Sequence, residues 1–142
     1  MRSPGGLNWG EQAVDVLSSD VTLAALVAAQ RGLGLRRELI AQNIANVNTP
    51  NYHRRDTDFT QVLVEALAAP AATRAERVEA IGQVVAREVI AERLFYRADL
   101  GGVDLDREMA EFAKVQLHGS AISQLIYEKL HQYRMVIKEG RV

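Results

Sequence analysis

The sequence predicts a mainly α fold: long N- and C-terminal helices pairing as an antiparallel, coiled-coil-like hairpin, with a short helix and a small irregular or mixed insert between them. Three observations carry this expectation. Apolar residues recur at sevens between Asp20 and Asn48, they do so again between Asp104 and Lys138, and the turn-forming and least periodic residues fall between those two stretches. At 142 residues the chain has room for one domain and not two. It divides by pattern into a flexible lead (1–19), an N-terminal helix, turn and short helix (20–68), a variable insert (69–102) and a C-terminal helix (103–142).

The lead opens MRSPGGLNWGEQ, where Pro4, Gly5, Gly6 and Gly10 break regular structure and Trp9 is the one unusual residue. Arg2 is followed by no apolar run, so the start is not expected to be a cleavable secretory signal, and a protein working outside the cytoplasm would need another export route. From Asp20 the pattern turns helical. Leu26, Leu33 and Ile40 form one row of a heptad and Leu23 and Ile44 an adjoining row, which Gln30 and Arg37 interrupt. Gly32 and Gly34, each costing about 1 kcal/mol against Ala in a helix, point to close approach by a neighbouring backbone.

Asn48-Thr49-Pro50-Asn51-Tyr52 ends this helix. Pro50 disfavours the α conformation at Thr49, and Pro50-Asn51 suits the centre of a type II turn, whose second central residue needs positive φ. Asp58 then opens a short amphipathic helix with Phe59, Val62, Leu63, Ala66 and Leu67 on one side, ended by Pro70. Ala71–Ala80 reads as weak helix or linker. Gln83–Ile90 reads as a short strand or as helix continuing to Tyr96, and Gly101-Gly102 as a flexible joint.

The last 38 residues give the strongest pattern. Asp104 is placed to cap a helix, Asp106 and Glu108 suit its first turn, and Lys138 and Arg141 its last. Leu105, Phe112, Ile126 and Tyr133, with Met109, Leu130 and Ile137 beside them, form the row expected to meet Leu26, Leu33 and Ile40 of the same chain, although Gln116, Gly119 and Ser123 thin it midway. A second stripe, Val115, Ile122 and Val136, is expected to face other subunits. Two helices of roughly 43 and 52 Å can pair but leave one stripe of the longer uncovered.

Little chemistry is visible. Without cysteine there is no disulfide or thiolate site. His53, His118 and His131 stand in no zinc spacing, and the single Glu128-x-x-His131 pair lacks the second copy that a di-metal bundle needs. Neither a phosphate loop nor a nucleophile elbow is present, so no enzyme activity and no cofactor is expected. Arg36-Arg37 and Arg54-Arg55 are neutralised locally by Glu38, Asp56 and Asp58, and net charge is −1, which argues against nucleic acid. No apolar run reaches the eighteen residues of a membrane span, so direct membrane insertion is not expected.

Leu39–Tyr52, LIAQNIANVNTPNY, resembles the N-terminal signature of the bacterial flagellar rod and hook family, with Asn43, Ile44, Asn46, Asn48, Thr49, Pro50 and Tyr52 in the family's order and Asn51 where Gly is usual. Arg54–Phe59, Val103–Met109 and Ala113–Leu117 are most similar to the proximal-rod members, and the Tyr-x-Ala-Asn element of their siblings is absent. The resemblance implies a structural subunit of the proximal rod in the periplasm. It would be exported uncleaved by the flagellar type III apparatus and stacked by helix packing around an export channel. Its implied partners are other copies of itself, adjacent rod subunits, and an MS-ring or export-gate adaptor. The family's asparagines can serve as amide contacts across interfaces or as a helix cap and turn. A helical adaptor or coiled-coil oligomerisation module unrelated to flagella is the alternative.

Overall fold

The computed structural model describes residues 20–71, 73–84, 88–90 and 103–139. Trp9 and the lead, the Gly101-Gly102 joint and Arg141 lie outside them. Among the described residues six elements follow in order: α1 (Val21–Ala45), β1 (Arg55–Thr57), α2 (Phe59–Ala68), α3 (Arg74–Gly82), β2 (Glu88–Ile90) and α4 (Leu105–Glu139).

Both long helices start on an aspartate. Asp20 accepts from the N–H groups of Thr22 and Leu23 at 2.8 and 3.1 Å, and Asp104 from those of Asp106 and Arg107 at 3.0 and 3.3 Å. Each thereby satisfies donors that a helix N-terminus leaves without intrahelical partners. α3 opens with a full capping box, Thr73 taking the Glu76 N–H while the Glu76 carboxylate takes that of Thr73. The Thr-x-x-Glu spacing was readable in the insert, where only weak helix was expected. The strand alternative for the insert holds at Glu88–Ile90. β2 pairs antiparallel with β1, Arg55 opposite Ile90 and Thr57 opposite Glu88, in a two-stranded ribbon that the polar sequence of β1 does not announce.

α1 and α4 run antiparallel. Asp20 meets Tyr133, Gln30 meets Ser123, Arg37 meets Gln116 and Asn43 meets Glu108, so α4 is read backwards as α1 is read forwards. Seven residues separate Gln30 from Arg37 and Gln116 from Ser123. The polar interruptions noted in each helix therefore face one another as two hydrogen-bonded rungs. A different face of α1 carries the small apolar core: Ala28, Phe59 of α2 and Ile81 of α3, with Val21, Ala24, Ala29, Leu63 and Val84 packed around them.

Gly32 explains how α2 fits. A Cβ there would lie 2.0–2.3 Å from three ring atoms of Phe59, so the close approach comes from a side chain and not from the backbone expected. Gly34 has open space where its Cβ would be and shows no such constraint.

Candidate functional site

The asparagine-rich segment leaves α1 and folds back on it. Asn46 caps the helix end. Its backbone N–H reaches the Gln42 and Asn43 carbonyls, its side-chain amide donates to the Gln42 carbonyl at 2.8 Å, and its Oδ1 accepts from the Thr49 hydroxyl at 3.2 Å. The Tyr52 N–H then returns to the Thr49 carbonyl, and Asn51 holds φ 59°. With Pro50 before it, that is a type II turn in which Asn takes the place suited to Gly. Asn48, Thr49, Pro50 and Asn51 are exposed at the tip, and Ile44 is half-buried on the helix.

Asn43 points the other way and is fully buried. Its amide donates to the Arg55 carbonyl at 2.8 Å and to Glu108 Oε2 at 3.0 Å, and its Oδ1 accepts from the Arg55 N–H at 2.9 Å and the Tyr52 hydroxyl at 3.2 Å. All four bonds open to an asparagine side chain are made. Glu108, also fully buried, takes Arg54 Nε on its other oxygen at 2.6 Å, and Arg54 continues to Asp56 at 2.9 Å. Arg36 lies 3.5 Å from Asp56 and 3.2 Å from Glu111, which also pairs with Lys114. This knot ties the end of α1, the turn, β1 and the start of α4 into one unit.

Charge follows that geometry. Burial disfavours the Arg54 cation, but bonding to Glu108 and Asp56 outweighs it and raises the pKa above the ordinary arginine value. The Lys114 hydrogen bond lowers Glu111 against the opposing effect of burial, with the charges of Lys114, Arg36 and Arg54 adding to it. The reading of Arg54-Arg55 as neutralised by nearby carboxylates therefore holds for Arg54. Arg36, however, is matched by Asp56 and Glu111 from other elements and not by Glu38.

The seam of α4 corrects the sequence reading. Residues turned toward α1 are Glu108, Phe112, Val115, Gly119, Ile122, Ile126, Lys129 and Tyr133, spaced alternately by four and three as in a coiled coil. Leu26 and Leu33 are half-buried and Ile40 fully buried on α1. Leu105, Met109 and Leu130, expected in the seam, are instead exposed. Val115, expected to face other subunits, is only 4% exposed, and Ile122 lies one heptad further on the same buried row. Ile122 is half-buried there. Of that stripe Val136 alone stands clear, at 68% exposed. Ile137, also expected in the seam, is exposed, and with it Leu117, Leu125, Tyr127 and Met135 form an outer surface that the sequence reading had not assigned.

Among the described residues no helix is long and apolar enough to cross a membrane, and no group of three or more metal-ligating side chains forms. His53, His118 and His131 are each exposed. Among the described residues the arrangement offers packing and ion pairing.

Comparison with characterised proteins bears directly on this arrangement. The chain is 32% identical to the flagellar basal body rod protein FlgB of Escherichia coli (strain K12), over 70% of this chain and 86% of that one. It belongs to the FlgB family of flagellar rod proteins. FlgB of Salmonella typhimurium is 34% identical over 63% of this chain and 75% of its own. FlgB of Bacillus subtilis (strain 168) is 24% identical over 84% and 95%. No family model matches. Two of the three segments on which the sequence resemblance to proximal-rod members rests, far apart in the chain, meet at the knot: Arg54 comes from one and Glu108 from the other.

Proposed function

We propose that this chain is a structural subunit of the proximal rod of the bacterial flagellar basal body, one of many that build a tubular drive shaft transmitting torque around an export channel. Its partners in this reading are further copies of itself, adjacent rod subunits, an MS-ring or export-gate adaptor, and the flagellar type III export apparatus that delivers it uncleaved to the periplasmic rod. The role is structural and not catalytic.

Beyond the family relationship, one observation supports the reading: among the described residues α4 packs on its own chain along a single seam and presents Met109, Leu117, Leu125, Tyr127, Met135 and Val136 outward. Apolar surface of that extent on a helix about 52 Å long is what packed neighbours would cover. Heterologous contacts between such helices propagate, producing open helical assemblies and not closed pairs. Deleting the gene and imaging isolated basal bodies tests this. The expected result is export-apparatus bases without a rod, restored by the wild-type chain. Complete rods in the deletion strain would reject the reading, and a closed, cooperative dimer of the purified chain would favour the adaptor alternative.

A further inference from the structure

The end of the hairpin opposite the knot holds a second polar cluster, unrelated to the asparagine signature. Asp20, 5% exposed, uses both carboxylate oxygens on different helices. Oδ1 caps α1 through the Thr22 and Leu23 N–H groups. Oδ2 accepts the Tyr133 hydroxyl and lies 3.1 Å from Lys129 Nζ, both from α4. Lys129 also sits 5.6 Å from the centre of the Tyr133 ring. Beyond Tyr133, α4 continues to Glu139, with Arg134, Met135, Val136, Ile137 and Lys138 all exposed. Among the described residues the cluster is the last polar tie along α4.

We propose that Asp20 is a two-way latch, a single carboxylate that makes the first turn of α1 conditional on docking of the Lys129–Tyr133 turn of α4, so that the two turns order and open as one unit. The reason is geometric. A cap oxygen on a free side chain loses rotamer entropy each time it binds the helix N-terminus. Here Tyr133 and Lys129 already hold the Asp20 rotamer, so capping costs less when α4 is docked, and docking costs less when α1 is capped. Such reciprocity is thermodynamic coupling. Two separate residues, one capping and one bridging, would leave the helix start indifferent to α4.

Native-state amide hydrogen exchange on the full-length chain tests the latch. Tyr133→Phe keeps the ring and every capping atom while removing the hydroxyl. It is expected to speed exchange of the Ala24–Ala28 amides at least tenfold, in step with those near Tyr133, while amides beside Asn43 keep their rates. Lys129→Met, a milder change that leaves the hydroxyl bond intact, is expected to act at the same two places by a smaller factor. Acceleration confined to α4 in both variants, with α1 amides at wild-type rates, would overturn the proposal. So would an equal acceleration throughout the chain in Lys129→Met, which would reveal a general loss of stability and no local coupling.

Discussion

The two long helices share a heptad pattern and a capping aspartate, yet they are used differently. α1 is wrapped on two faces, receiving α4 along Leu33 and Ile40 and the Phe59–Ile81 core along Ala28 and Gly32. Among the described residues α4 is held on one face and bare on the rest, and Leu117 at 69% exposed lies two residues from Val115 at 4%. A helix enclosed by its own chain can only report on folding. A helix with most of its circumference free has surface left for neighbours. Substitutions in α1 and the α4 seam should therefore cost subunit stability, while those on the outer α4 face should leave it alone.

The sharpest test of the seam is Glu108. Its carboxylate is fully buried between Arg54 and Asn43, and truncation leaves both without their shared partner. Removing one member of such a pair costs about 3–5 kcal/mol. Glu108→Ala is expected to lower stability to urea by that amount, so a loss under 1 kcal/mol would show that the knot does not hold α4 to α1. Gly32→Ala should act where α1 receives the Phe59 ring of α2. Ala raises helix propensity by about 1 kcal/mol, but its Cβ would enter the Phe59 ring, and overpacking costs about 1–3 kcal/mol. Net destabilisation of about 1 kcal/mol is expected, relieved when Phe59→Leu is added. Additive effects of the two changes would mean that the ring moves aside freely.

The hairpin itself was legible in the sequence, but the choice among α4's apolar rows was not. Phe112, Ile126 and Tyr133 do turn toward α1, but the companion row expected beside them, Met109, Leu130 and Ile137, looks more hydrophobic than the one that is there, which carries Glu108 and Lys129. Charged residues score as surface because burying them alone is prohibitive. Here their compensating partners are Asn43, Arg54 and Asp20, far away in sequence and unknowable from spacing. The asparagine signature was found, but its division of labour was not. Asn43 serves the interior and Asn46 the cap, while Asn48 and Asn51 lie exposed at the tip. β1, the partner of the strand foreseen as one reading of the insert, was missed because three polar residues are too short to show a period of two.

A smaller effect should appear with pH at the far end of the seam. Burial alone would raise the Asp20 pKa, but the hydrogen bonds from Tyr133, the Leu23 N–H and Lys129, with the Lys129 charge, bring it down to about 2. A depressed carboxylate contributes stability above its unfolded pKa of about 3.9, and loses it as pH falls through the folded value. Tyr133, raised to about 12 by burial and then by Asp20, contributes below about pH 10 and loses its share as pH rises through 12. Urea unfolding should therefore weaken by about 1–2 kcal/mol between pH 4 and 2 on this account. Asp20→Asn keeps a capping oxygen and should flatten that slope. An unchanged slope would show that α4 does not hold Asp20 charged.

The smallest effect on the subunit should come from the face that matters most to its neighbours. Leu117 and Val115 are two residues apart, which on a helix places them about 200° apart around the axis. One therefore looks outward while the other packs on α1. Leu117→Glu buries nothing in the isolated chain, so its unfolding free energy is expected to stay within about 0.5 kcal/mol of wild type. In an assembly whose neighbours cover that face, the same carboxylate would be desolvated without a partner, and rods should fail to form although folded subunit accumulates. Val115→Glu supplies the control, since it should unfold the hairpin before assembly is reached. Leu117→Glu cells that swim normally would mean that neighbours leave this part of α4 in water. A Leu117→Glu subunit as unstable as Val115→Glu would mean instead that α4 is wrapped as fully as α1, and the contrast between the helices would fall.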